Sequence, residues 1–118
     1  MLNDTICAIS TALKEGAISI VRMSGDESFE IIRKISDVKT IKPNTIVYSH
    51  IRDEGEIIDE VLISFFAAGK SYTLEDMVEI NCHGGIYVTR LILNLLFCFL
   101  KLSFGSAKGI EIVLIILI

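Results

Sequence analysis

The chain has 118 residues, 52% of them hydrophobic and 22% charged, with a single proline and no tryptophan. That length suits one ordinary domain with its own apolar core and argues against a disulfide-held peptide scaffold or a multidomain enzyme. Eleven Lys and Arg against fifteen Asp and Glu leave a formal charge of −4, which lacks the basic surplus of a nucleic-acid binder.

Two short β-branched segments open the chain, Thr5 to Ser10 and Ala17 to Met23, and both read as strands separated by a polar connection, Thr11 to Gly16. Ser24-Gly25-Asp26 follows, where Ser24 or Asp26 is expected to cap a helix over residues 28–35. Phe29, Ile32 and, less regularly, Ile31 and Ile35 supply the apolar stripe of that helix, with Glu30 and Lys34 on the wet side. A loop around Pro43 leads to an alternating strand, Thr45 to Arg52, then a hairpin turn at Asp53-Glu54-Gly55-Glu56 and its partner strand, Ile57 to Ala67. The Phe65-Phe66 end of this strand is apolar on both faces, as in the middle of a sheet. Lys70 to Asp76 reads as a loop, Met77 to Cys82 as a strand, and His83-Gly84-Gly85 as a sharp turn into a helix from about Ile86 to Leu100. The predicted order is ββ-α-βββ-α, an α+β domain whose mixed sheet packs with helices.

Charge divides the chain unevenly. Residues 1–85 carry eight basic and fourteen acidic side chains, whereas residues 86–118 carry Arg90, Lys101, Lys108 and only Glu111. This last third holds an apolar run from Leu91 to Leu100 and ends in seven aliphatics, Ile112 to Ile118. Each run is shorter than the roughly 20 residues of a membrane-crossing helix, so a membrane-associating role for residues 86–118 is the less favoured expectation. Met1-Leu2-Asn3-Asp4 lacks the basic and apolar regions of a secretory leader. Cys7, Cys82 and Cys98 are odd in number and form no CxxC pair, which suits buried thiols in a reducing compartment; a cytoplasmic location is expected.

Three local patterns bear on chemistry. Gly69-Lys70-Ser71 resembles the end of a phosphate-binding loop, but Ser64 stands where the first glycine of that motif belongs, so a GTP site is not expected. Cys82-His83 offers two adjacent ligands or a nucleophile and a base, yet neighbouring residues on a strand point to opposite faces, so neither a metal site nor a catalytic pair is expected. In Met77-Val78-Glu79-Ile80-Asn81-Cys82, Val78, Ile80 and Cys82 share one face while Met77, Glu79 and Asn81 share the other, next to the Gly84-Gly85 pair. A carboxylate in mid-strand needs donors. Either a basic side chain on a neighbouring strand, such as Arg22 or Arg52, or the paired N–H groups of a ligand would supply them.

Several longer blocks resemble one family. Asn3 to Thr11, Glu15 to Gly25, Ile58-Asp59-Glu60-Val61-Leu62, and above all Ser71-Tyr72-Thr73-Leu74-Glu75-Asp76-Met77-Val78-Glu79-Ile80-Asn81-Cys82-His83-Gly84-Gly85 are similar, in the same order, to the N-terminal domain of the MnmE/TrmE tRNA-modification GTPases. The resemblance covers about residues 3–96 and implies a folate-binding and dimerisation domain over residues 1–96, like that of the glycine-cleavage T protein, with residues 97–118 a divergent apolar tail. It implies a homodimer, a reduced folate such as 5-formyltetrahydrofolate as one-carbon donor, and folate contacts at Arg22 and Glu79. A carboxylate can accept a pterin's ring N–H and amino group together, and a guanidinium can hold a carbonyl or carboxylate. In the whole family protein this domain precedes helical and GTPase domains and works with the flavoprotein MnmG on the wobble uridine of tRNA. Here Ala12 replaces the family's usual proline and Ala17 a common glycine. Beyond Leu96 the family's further basic folate contact is missing, as in a truncated or frameshifted reading frame. The rival expectation is therefore a dimerisation module that has lost folate binding.

Overall fold

The computed structural model describes residues 5–9, 19–69 and 75–104. The Thr11–Gly16 connection, the Ala17-Ile18 start of the second strand, Lys70 and Ser71 of the loop and the aliphatic end lie outside the described residues. The elements are β1 (Ile6–Ile9), β2 (Ser19–Ser24), α1 (Ser28–Ile35), β3 (Thr45–Asp53), β4 (Glu56–Phe66), β5 (Met77–Cys82) and α2 (Gly85–Phe104). The domain is α+β. Its five strands form one sheet in the order β1-β2-β5-β4-β3, and each described pairing is antiparallel. The last strand in sequence thus becomes the middle strand in space, flanked by β2 and β4.

Period-two patterning sorts the sheet into two faces. Val21 and Met23 of β2, Val78, Ile80 and Cys82 of β5, and Val61, Ile63 and Phe65 of β4 are buried on one face, where Cys7 and Ile51 join them from the edges. Both helices cover this side. The α1 helix contributes Ile31, Ile32 and Ile35, with Phe29 edge-on to Phe65 at a ring separation of 5.8 Å. The α2 helix contributes Ile92, Leu95, Leu96 and Leu100, a stripe at helical spacing. Burying each such side chain stabilises the fold by about 1.5–3 kcal/mol.

The helix entrances and the hairpin differ in detail from the simplest reading. Neither Ser24 nor Asp26 caps α1. The residue at its N-cap is Glu27, whose backbone N–H donates to Thr5 Oγ1 at 2.9 Å, so a hydroxyl from the start of β1 performs the task. Gly25 permits this approach: its φ is +136°, and a Cβ there would lie 2.5 Å from Thr5 Cα. At the hairpin, Asp53 pairs with Glu56 across Glu54 and Gly55, whose φ values of 50° and 86° suit a two-residue type I′ turn. A register shift follows at Ile51/Arg52. The α2 helix continues to Phe104, four residues beyond the expected end. Phe97 and Phe99 pack on the core and Leu100 is buried in it, so residues 97–100, expected as tail, pack with the domain.

Candidate functional site

The opposite face of the sheet carries neither helix, and its side chains fall into cross-strand rows. One row runs Ala8, Arg22, Glu79, Ser64, Ile46 through β1, β2, β5, β4 and β3. The next runs Ile20, Asn81, Leu62, Tyr48. The third pairs His50 with Glu60. Ile46, Tyr48 and Leu62 are exposed, at 70%, 58% and 39%, whereas Arg22, Glu79, Ser64 and Asn81 are half-buried. The face is therefore polar towards its centre and apolar towards the β3 edge.

Arg22 and Glu79, expected either as ion-pair partners or as ligand contacts, stand directly opposite one another. Arg22 Nε donates to Glu79 Oε2 at 2.7 Å, and an Arg22 terminal nitrogen lies 2.5 Å from the same oxygen. Of the two arginines considered for Glu79, the register selects Arg22. Arg52 instead donates through Nε to Asp37 Oδ1 at 2.8 Å. Both guanidinium contacts converge on Oε2, so the pair is not the parallel fork in which each carboxylate oxygen takes its own N–H. With side-chain exposures of 23% and 18%, the two groups meet solvent only partly, which strengthens their attraction over that of a surface pair.

Cys82 and His83 part as the strand geometry requires. Cys82 is buried in the helix-side core, and burial, with the nearby negative charge of Asp59, pushes its thiol up to about 12. It is a neutral thiol at physiological pH, unsuited to nucleophilic attack. His83 is exposed on the turn, where its Nδ1 donates to the Glu60 carbonyl at 2.9 Å. Cys7 is likewise buried, its thiol raised to about 12 by burial. Ser64, where a phosphate-binding loop would require its first glycine, lies inside β4 opposite Glu79.

Two polar clusters escape a reading of the sequence by motif. Asp59, half-buried on β4, accepts the backbone N–H groups of His83 and Gly84 on Oδ2 at 2.7 and 3.1 Å and that of Glu60 on Oδ1 at 2.9 Å. It ties the turn before α2 to the neighbouring strand. Nothing local marks this tie, since the bonds from His83 and Gly84 join residues more than twenty positions apart. The second cluster joins Asp37, after α1, to Arg52 and to His50 Nδ1, the latter at 3.2 Å; His50 Nε2 faces Tyr48 Oη at 3.4 Å and Glu60 Oε1 at 3.7 Å. The hydrogen bond from Arg52 holds the Asp37 carboxyl below the usual carboxylate range, while desolvation beside Glu60 raises the Tyr48 hydroxyl.

Among the described residues, no helix is long and apolar enough to cross a membrane. Comparison with known proteins matches residues 5–108 to the family described as "GTP-binding protein TrmE N-terminus", a span that runs past Leu96 into the divergent end. Similar proteins include the "tRNA modification GTPase MnmE" of Streptococcus thermophilus, 52% identical over 96 residues that cover 79% of this chain and 21% of that protein. The protein of the same name in Thermoanaerobacter sp. is 52% identical over 103 residues, covering 80% and 22%. The one in Latilactobacillus sakei is 50% identical over 108 residues, covering 87% and 22%. The chain spans about a fifth of the length of these relatives.

Proposed function

Because the chain belongs to the family of TrmE N-terminal domains, we propose that it binds a reduced folate, such as 5-formyltetrahydrofolate, on the helix-free face of its sheet, with Glu79 and Arg22 as the polar contacts. One observation carries this reading: strands β2 and β5 hold a carboxylate and a guanidinium side by side, half-buried, in the middle of a face that no helix covers. Glu79 offers its carboxylate to two adjacent N–H groups of a pterin, and Arg22, already bonded to Oε2, holds that carboxylate in place. A pre-formed pair of this kind loses little side-chain freedom when a ligand arrives.

The exposed apolar strip of Ile46, Tyr48 and Leu62 supports a second element of the proposal, that two copies of the domain pair through this side. In the longer proteins of the family, the domain would then present folate to a tRNA-modifying assembly with a GTPase domain and the flavoprotein MnmG, in the cytoplasm. The chain by itself contributes binding and pairing rather than GTP hydrolysis.

A second reading has its own observation. The 2.7 Å bond between Arg22 and Glu79 is what a purely structural ion pair would show, in a dimerisation module without folate. Calorimetric titration of 5-formyltetrahydrofolate into the wild type, Glu79→Gln and Arg22→Ala separates the two. Glu79→Gln sets an amide N–H against a ligand N–H and should weaken binding by about one to two decades. Unchanged affinity in both variants, with lowered melting temperatures, favours the structural pair, and no heat with the wild type refutes folate binding outright.

A further inference from the structure

Two residues beyond Glu79 on β5, Asn81 points from the same face, about 7 Å further along the strand. Its cross-strand neighbours are aliphatic on both sides, Ile20 on β2 and Leu62 on β4. The side chain is half-buried, and its carboxamide has no hydrogen-bond partner among the described residues. An amide set between two aliphatic side chains gains nothing for packing that leucine would not supply better, and once covered it costs stability unless something bonds to it.

We infer that Asn81 is a further ligand-binding residue of this face, reading the edge of a bicyclic heterocycle opposite to the edge held by Glu79. The inference rests on the folate reading above and deepens it by giving the site a third polar contact. A fused two-ring heterocycle lying along β5 with one edge on Glu79 extends far enough to bring its other edge over Asn81. Ile20 and Leu62 then flank the ring, and Tyr48 closes the row beyond Leu62. A carboxamide offers a donor and an acceptor together, so it can accept from a ring N–H or donate to a formyl oxygen on the far ring of 5-formyltetrahydrofolate. It is also neutral. Glu79 and Arg22 supply the charge of the site, and Asn81 adds direction without a second carboxylate that would repel Glu79.

The test is titration of 5-formyltetrahydrofolate into the full chain as wild type, Asn81→Leu and Asn81→Gln, each with a melting curve. Asn81→Leu keeps the branching at Cγ and the number of heavy atoms and suits a strand between Ile20 and Leu62, so its melting temperature should equal or exceed that of the wild type. Its affinity should fall about ten- to hundredfold. Asn81→Gln, which keeps the carboxamide on a longer stem, should recover part of the loss. Wild-type affinity in Asn81→Leu overturns the role of Asn81 while leaving the folate reading standing. Absence of binding by the wild type overturns the folate reading and this inference with it.

Discussion

At the scale of single residues, the fold turns on a few positions where one atom decides. Gly25 is the clearest. Its positive φ and the 2.5 Å that a Cβ would leave to Thr5 Cα mean that any side chain displaces the start of β1 from the entrance to α1. Thr5 would then lose its bond to the Glu27 N–H. Gly25→Ala should therefore destabilise the domain by about 1–3 kcal/mol, read as a lower denaturation midpoint with an unchanged slope. A midpoint equal to that of the wild type would contradict the close approach. Residues of this kind show how unevenly a sequence discloses its structure. Glu79 stands out because a carboxylate in mid-strand must be explained, and its partner, Arg22, lay among the two candidates that chemistry allowed. Thr5 as a helix cap and Asp59 as the anchor of the His83-Gly84 turn do not stand out, because each acts across a distance in sequence that no local pattern encodes.

Among the elements, β5 and α1 match their periodicity residue for residue, Met77–Cys82 and Ser28–Ile35. Strong alternation and a strong three-and-four spacing leave little room for another assignment. The end of α2 is less legible. Leu91 to Leu100 is apolar almost all round, so neither a stripe nor a stop signal marks where the helix leaves the core, and it continues to Phe104. The connection between α1 and β3 is invisible to periodicity altogether. Ser36 Oγ donates to the Ile32 carbonyl at 2.6 Å, Asp37 N–H donates to Ser49 Oγ, and the Asp37 carboxylate takes Arg52 and His50. This cluster fastens the helix to the edge strand and makes the attachment pH-dependent. Asp37 is held below its unfolded carboxyl value, so it contributes stability above that value, near 3.9, and loses it as pH falls through the folded value. Asp37→Asn should thus lower the melting temperature at pH 7 and bring it close to that of the wild type in strong acid, well below pH 3.9. A constant gap between the two proteins across that range would show that the Asp37 charge is immaterial.

For the molecule as a whole, the asymmetry of the sheet is the governing feature. One face is sealed by two helices, and the other combines a polar centre with Ile46, Tyr48 and Leu62 at its β3 side. In the proposed pairing of two copies, that apolar strip is covered, and charge placed there should break the association without touching the core. Ile46→Glu together with Leu62→Glu is expected to weaken self-association at least tenfold in sedimentation equilibrium while the melting curve of the monomer keeps its cooperativity. Association that survives both substitutions would assign the contact to another surface.

Binding of a reduced folate on the helix-free face, at Glu79 and Arg22, can be read from the amide NMR spectrum of the isotopically labelled chain with and without 5-formyltetrahydrofolate. Bound ligand is predicted to shift the amides of Ile20 to Arg22, Leu62 to Ser64 and Glu79 to Asn81, and to leave those of Ile31, Ile32 and Ile92 on the helix side near their free positions. A saturating folate that shifts none of the first group, or that acts only on the helix side, would rule out the helix-free face as the folate site.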